Sequence, residues 1–568
     1  MRKISSLLLI TLTLLFVVTS CSDKDDPIID KGDLISATFS PATKKFTLKY
    51  SKGATETVDA VIDNTVTPPT AKATLEDGTV ITLNDATVEG KANIETLSGY
   101  QYVNDWIYEE MNVYYLWNNK IPKNPNFDLR PDKFFSSLLN TYDPISNPDG
   151  DRFSWIQEDY KDLLGSLSGV SSDEIGFEYT FVRTPDPNMY YAIVTYPKLG
   201  SDAYAKGIDR GRFITAVDGK SITPSNYRNI FSGTGNKSLT MADYVYNNST
   251  ANYVLTPSGN VSVKMEKNFA ENPIQMDSVY TINGKKIGYM VYNFFATDKG
   301  DDSHDYDKLL MNRLESIKSK GATEMILDLR YNGGGRVSTA IALASALVKD
   351  RSTDKVLVTS EYNDLVHAAL KKEDGDDYNK EYFVDKIMKG RKLIANVPSL
   401  NLPRLYVLVT RSSASASELV INGLKPYMEV ILIGETTYGK NVGSTSFYKE
   451  NDPKNKWGMQ PIIVKYYNSA EKSEYTAGFK PDIEVDEFEA LNLRLVEFGD
   501  TEDPLLSTAL NEITGNRMQT RSMGMPKQLA TSPEMRKIKN SNSIFKDKAR
   551  FDMYDDVRGE QIKKLMKK

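Results

Sequence analysis

From Ile282 to about Val485 the chain alternates strand-like and helix-like runs, and no other feature of the sequence limits the possible folds as much. Ile287-Gly288-Tyr289-Met290-Val291, Glu324-Met325-Ile326-Leu327-Asp328-Leu329, Leu405-Tyr406-Val407-Leu408-Val409 and Val430-Ile431-Leu432-Ile433-Gly434 are short and largely apolar. Runs of this kind, without polar alternation, belong to strands covered on both faces. Between them Tyr306–Ser319 is amphipathic at helical spacing, Val337–Val348 reads as a helix, and a further helix runs from Ser417 to Leu424. Switching between the two periods in this way is the signature of an α/β core.

The flanks read differently. Leu34 to about Val88 alternates with period two, with Pro, Gly and Asp-Gly punctuation, and predicts a small antiparallel β module, a spacer in its blandest reading. Val103, Trp106, Ile107 and Met111 fall at helical spacing within Tyr100–Leu139 and predict core. The stretch from about Thr514 is polar, basic towards Lys568, and reads as mobile or peripheral. With 568 residues, several domains are expected. The expected division is 1–20, 21–33, 34–90, 91–164, 165–267, 268–500 and 501–568: leader, tether, β module, helical region, second β domain, core and extension.

Composition mainly excludes. A net charge of −6 gives no basic face for nucleic acid. Cys21 is the single cysteine, so no intramolecular disulfide and no cysteine-rich zinc site can form. The two histidines both read as structural: His304 in Asp-Asp-Ser-His-Asp as a solvated loop, His367 within the helix-like run Asp364–Leu370. A hydrolase built on this chain would therefore use another base. No metal or organic cofactor is implied. At the N-terminus Arg2 and Lys3 precede an apolar run from Leu7 to Val18 and then Thr19-Ser20-Cys21, the order of a secretory signal peptide.

Three segments of the core carry chemistry. Asp328-Leu329-Arg330-Tyr331-Asn332-Gly333-Gly334-Gly335 is a strand ending in glycines, which can bare backbone N–H groups for an oxyanion, though such loops also bind phosphate or simply turn. Ser412-Ser413-Ala414-Ser415-Ala416-Ser417-Glu418 lies between a strand and a helix, where a serine meets a positive field. Ser415 to Glu418 also fits a capping box, and chemistry alone does not choose among the serines. Gly434-Glu435-Thr436-Thr437-Tyr438-Gly439-Lys440 places a lysine beyond a buried strand, where burial would favour the neutral amine that can take a serine proton. Alone, it would read as a solvated loop lysine.

Together these segments resemble the C-terminal processing peptidases, also called tail-specific proteases. The resemblance covers roughly Gly165 to Val485. It implies Ser415 as nucleophile, Lys440 twenty-five residues on as general base, and Gly334 and Ala416 as oxyanion donors. It implies a crotonase/ClpP-like core of β-β-α units within a multidomain α/β protein. Gly478-Phe479-Lys480-Pro481-Asp482-Ile483 is similar to the segment that closes the family's core. Many members carry a glutamine four residues after the lysine to orient it, and here that position is Ser444; where some carry an aspartate eleven residues after the serine, this chain has Pro426.

Ahead of the core, Ala203-Tyr204-Ala205-Lys206-Gly207-Ile208 and Gly211 to Lys220 resemble a PDZ domain. That likeness implies a peptide added as a strand, its carboxylate near Ile175-Gly176-Phe177-Glu178. Thr19-Ser20-Cys21 resembles a bacterial lipobox, which implies acylation of Cys21 and a membrane anchor in the cell envelope, in the outer membrane facing periplasm or surface. The expected function is a serine endopeptidase acting on C-terminal or unfolded segments of exported proteins. The alternative is a catalytically weak or inactive peptide-binding lipoprotein of the same fold.

Overall fold

The computed structural model describes residues 31–566 except 33, 64–67, 76–78, 96–97, 172, 250–251, 516–534, 540 and 544–550. Cys21 and the signal-like run lie outside the described residues. Residues up to Thr96 form one compact unit and those from Leu97 onward another. The first holds two four-stranded sheets, in which Phe39, Phe46, Leu48 and Ile81 make a small core. No helix among the described residues is long and apolar enough to cross a membrane.

The second unit begins with helices at Ser98–Tyr114 and Pro131–Leu138; Val103, Trp106, Ile107 and Met111 are buried in its main core. An antiparallel domain follows. Its strands β1 (Phe177–Arg183), β2 (Tyr190–Pro197), β3 (Phe213–Val217), β4 (Asn236–Asn247) and β5 (Asn252–Lys264) lie in the order β5-β4-β3-β2-β1. The turn after β3 is Asp218-Gly219, with φ of 52° and 73°. Both central residues being left-handed is the type I′ geometry whose twist matches a hairpin, and an Asp-Gly pair adopts it at low cost.

The core sheet runs β6 (Ile274–Ile282), β7 (Lys285–Tyr292), β8 (Glu324–Asp328), β9 (Arg404–Val409), β10 (Glu429–Gly434) and β11 (Ile483–Glu484), in that spatial order. Only the β6–β7 pair is antiparallel. Helices α1 (Asp305–Ser319), α2 (Val337–Leu347) and α3 (Ala416–Leu424) share one apolar cluster with Met290, Met325, Leu327 and Val407. On the other face α4 (Pro504–Thr514) packs through Leu505, Leu506 and Leu510 onto Ile287, Tyr289, Ile326 and Leu408. Successive strand residues point to opposite faces, so a sheet covered on both sides needs unbroken apolar strands.

The last part of the chain departs from the sequence expectation. Its described residues beyond Thr514 are not peripheral, because Met553 and Ile562 are buried in the main core and Ile538 packs against the core of the antiparallel domain. Strand β12 (Arg536–Lys537) adds to the free edge of β1, and β13 (Met553–Tyr554) lies between Gly335–Arg336 and Val442–Ser444 in a second six-stranded sheet. A polar composition hid this, since the apolar anchors Ile538, Phe551, Met553 and Ile562 are few and widely spaced, and backbone pairing and buried polar contacts hold the rest.

Candidate active site

Three loops leave the carboxyl ends of adjacent parallel strands β8, β9 and β10: Leu329–Gly335, Thr410–Ser415 and Glu435–Lys440. Crevices at this end of a parallel sheet are where open α/β folds bind ligands.

The serines of the middle loop sort themselves by their bonds. Ser413 Oγ donates to Leu329 O at 2.7 Å and accepts Thr410 N–H, so it ties two loops together. Ser417 Oγ donates to Asn332 O at 3.0 Å. Ser415 is fully buried, yet its Oγ has no hydrogen-bond partner. It sits at the N-cap of α3 with φ 63° and ψ −117°, a conformation costing a non-glycine residue about 1–3 kcal/mol. The strained turn aims a free hydroxyl at the positive end of the helix.

Glu418 is not simply the partner of a capping box. Its Oε2 accepts Ser415 N–H at 2.9 Å and Lys440 N–H at 2.7 Å, while Oε1 accepts Gly439 N–H at 2.8 Å and the Thr437 hydroxyl at 2.5 Å. One buried carboxylate therefore fixes the serine loop and the lysine loop relative to each other. Burial pushes its carboxyl up to about 7, against the pull of those hydrogen bonds. A folded-state value above the ordinary 4.5 means that stability is greatest below about pH 4.5 and falls by about 3 kcal/mol as pH rises through about 7. Glu418→Gln is expected to flatten that pH dependence of Tm. It should also lower kcat at least about tenfold, because the NH2 that replaces one oxygen cannot accept the backbone N–H that oxygen holds, from Gly439 on one side or from Ser415 and Lys440 on the other. An unchanged kcat would show that the loops are held without it.

Gly334 lies against Ser415, where a Cβ would come within 2.6 Å of the serine Cβ and 2.7 Å of its Oγ. Its φ of 124° is also glycine-specific. The expected donor role needs correction in one respect: in this structure Gly334 N–H donates to Asn332 Oδ1 at 2.9 Å and is not open to a ligand. Ala416 N–H occupies the first position of α3, where an amide has no acceptor within its own helix.

Lys440 is buried, and its Nζ donates to Phe551 O at 2.9 Å and to Asp552 Oδ1 at 3.0 Å. The Phe153 ring stands 5.0 Å from the same nitrogen. Ser444 does not bond the lysine directly; its hydroxyl donates to Asp552 Oδ1. Sequence reading missed Asn332, Glu418 and Asp552 in these roles. The first two stood within quoted motifs, but Asp552 is 112 residues beyond Lys440 in a stretch with no motif.

The loop expected to receive a peptide carboxylate is otherwise engaged. Gly176 N–H donates to Glu174 Oε1 at 2.8 Å, and Lys198 pairs with Glu174, Glu178 and Glu271. Ile175, Phe177 and Glu178 line a cavity of about 410 Å³ that also contains Asp173 and Ser543. The imidazoles are occupied too, His304 with Asp307 and His367 with Tyr378. Asp298, Asp302 and His304 bring ligand-type atoms together, but Asp302 pairs with Lys389 and none of the three is bonded to Ser415 or Lys440.

Residues 286–485 match the family model described as peptidase family S41, and residues 102–155 match that of the peptidase S41 N-terminal domain. A carboxyl-terminal-processing protease from Picosynechococcus is 24% identical over 364 residues, 63% of this chain and 77% of that one. CtpA-like serine proteases from Staphylococcus aureus are 24% identical over 327 residues, 57% of this chain and 56% of theirs, so the match spans little more than half of those proteins. A solved Bacteroides fragilis protein assigned to the S41 proteases superposes with a TM-score of 0.60 at 28% identity, covering 72% of this chain and 97% of that one.

Proposed function

Taking as premise that this chain carries the peptidase and N-terminal domains of family S41 and is a serine-type peptidase, we propose that it is an endopeptidase working through Ser415 and Lys440. The observation that carries this reading is the strained, buried Ser415 with an unpartnered hydroxyl, tied through Glu418 to the loop of a buried lysine. In the proposed reaction Ser415 Oγ bonds to the scissile carbonyl carbon while its proton passes to neutral Lys440 Nζ. The carbonyl π pair moves to oxygen, where Ala416 N–H at the helix N-terminus receives it; Gly334 N–H would join after leaving Asn332. One such donor contributes roughly 3–4 kcal/mol in other hydrolases. Collapse breaks the C–N bond, and Nζ returns the proton to the leaving amine. Water then attacks the acyl ester, giving its proton to Nζ; as the C–O bond breaks, that proton returns to Ser415.

We propose further that the antiparallel domain acts as the PDZ-like module and captures extended segments along β1, which take the place of the chain's own Arg536, Lys537, Ser541 and Ser543 on that edge. What supports this is that the β1 edge accepts an added strand in this structure, Arg536 and Lys537 pairing with Arg183 and Val182. Ser541 and Ser543 continue along it, their hydroxyls accepting the Phe181 and Tyr179 N–H groups at 3.0 and 2.8 Å. Acids beside Ile175–Phe177 favour unfolded or internal segments over a free carboxylate there. The carboxyl-terminal-processing relatives make exposed tails the class to compare with internal segments.

The test is cleavage of an unstructured protein by the chain from Ser22 onward, with Ser415→Ala and Lys440→Ala compared. Turnover by the parent that both variants lose supports the mechanism. Binding of the same protein without turnover by the parent would favour a catalytically weak or inactive peptide-binding role. Export and envelope anchoring through Cys21 remain part of the proposal, supported by the Arg2-to-Cys21 pattern. Incorporation of labelled fatty acid is expected in cells and should vanish in Cys21→Ala; equal labelling of the variant would sink the anchor.

A further inference from the structure

Lys440 is held by residues from the far end of the chain. As a general base the amine must be neutral, with two N–H bonds and one lone pair. Two acceptors lie on Nζ, Phe551 O at 2.9 Å and Asp552 Oδ1 at 3.0 Å. If both N–H bonds are spent there, the lone pair is the one direction left for the serine proton. Asp552 is itself buried and fixed from several sides. Its Oδ1 accepts the Ser444 hydroxyl, its Oδ2 accepts Trp155 Nε1–H at 3.0 Å, and its carbonyl accepts Gly335 N–H at 2.7 Å. Ser444 is in turn held by Gln460 Nε2–H at 3.1 Å, and Gln460 Oε1 accepts the Ser446 hydroxyl at 2.7 Å. Strand β13, which begins at the next residue, pairs with both Gly335–Arg336 and Ser444. The carboxylate therefore stands on a rigid ladder between the glycine loop and the lysine loop.

We infer that Asp552 is the positioning residue of the catalytic lysine, supplied by the C-terminal segment; this rests on the Ser415–Lys440 reading. It orients the amine before reaction and, remaining a carboxylate throughout, pairs with the ammonium formed when Ser415 gives up its proton. No proton passes to Asp552, so the balance of the reaction is unchanged. Asp552 does what a side chain at position 444 could do directly in a chain with a longer residue there, and Ser444 serves as its support. The other charged groups packed around this loop are spent elsewhere. Glu418 holds the Ser415, Gly439 and Lys440 N–H groups, and Arg152 donates to the Gly439 and Thr476 carbonyls at 2.8 Å each. The Tyr438 ring packs tilted against Phe551, with the centroids 5.0 Å apart.

A neighbouring carboxylate attracts the ammonium formed when the serine proton arrives, so its loss should slow that step without weakening substrate binding. In the chain from Ser22 onward, Asp552→Asn is expected to lower kcat by about ten- to a hundredfold and to leave KM within about twofold. Asp552→Glu should recover part of the rate. Ser415→Ala and Lys440→Ala are run beside them. If those two are inactive while Asp552→Asn keeps the parent's rate or exceeds it, Asp552 is a bystander or a plug and this inference alone fails. A lower kcat with a raised KM and a lower Tm, with no recovery in Asp552→Glu, would mark a purely structural role and also overturn it. Activity persisting in Lys440→Ala would instead remove the mechanism on which the inference stands.

Discussion

Ser415→Ala and Lys440→Ala are each expected to lower turnover by at least ~10³–10⁴-fold, and the double variant is expected to be no slower than the slower single. The reason is that the two groups act as one device. Without the hydroxyl the amine has no proton to take, and without the amine the hydroxyl is a weak nucleophile. The single losses correspond to about 4–6 kcal/mol of transition-state stabilisation, and independent contributions would add to roughly twice that in the double variant. An additive double variant would therefore show that the two side chains do not cooperate. The stability side of the same experiment is equally specific. Ser415 Oγ makes no hydrogen bond, so removing it breaks none, and relief of an unsatisfied buried hydroxyl should leave Tm unchanged or slightly raised. A large fall in Tm for Ser415→Ala would mean that the hydroxyl is structural after all.

The second large effect concerns the base of the glycine loop. Arg330 is fully buried, and its guanidinium bonds Asp328 Oδ2 at 2.7 Å, Asp503 Oδ2 at 2.7 Å and Glu487 Oε2 at 3.0 Å. Arg210, from the antiparallel domain, bonds the same Glu487 oxygen at 2.7 Å and the Tyr331 hydroxyl at 3.0 Å. Burial alone would raise the Glu487 carboxyl, but the two guanidinium groups pull it down to about 2. Burial raises the Asp328 carboxyl, against the pull of Arg330. Arg330→Ala would leave three carboxylates sharing one remaining arginine, and breaking a buried pair in this way costs about 3–5 kcal/mol. Denaturant unfolding is the measurement, and a loss under about 1 kcal/mol would show that water or rearrangement replaces the charge. Activity should fall with stability, because Arg330 and Asp328 hold the strand end from which Asn332 and Gly334 project. Their side chains thus belong to a joint between domains, although both stand in the segment read from sequence as an oxyanion loop.

Much of the core was legible before any coordinates. The apolar runs at Ile287–Val291, Glu324–Leu329, Leu405–Val409 and Val430–Gly434 became β7 to β10 because a strand covered on both faces leaves a local, unbroken pattern. Short runs of small and polar residues at sheet ends marked the three loops, but only the resemblance to the C-terminal processing peptidases singled out Ser415, Lys440 and Gly334 within them. Glu418 was visible too, and its expected reach from i+3 back to the Ser415 N–H is present, while its grip on Gly439 and Lys440 crosses between loops and leaves no local pattern.

The tertiary structure decided which serine is free, because only the partners of Ser413 and Ser417 show that their hydroxyls are occupied. It also decided what holds the lysine. Ser444 indicated a missing orienting group, but nothing local points to Phe551 and Asp552, which arrive through strand pairing by β13. Sequence patterns report periodicity and short-range bonds, which neighbours along the chain enforce. Contacts between residues a hundred positions apart are set by how sheets and loops close on one another, and that information lies only in the folded chain.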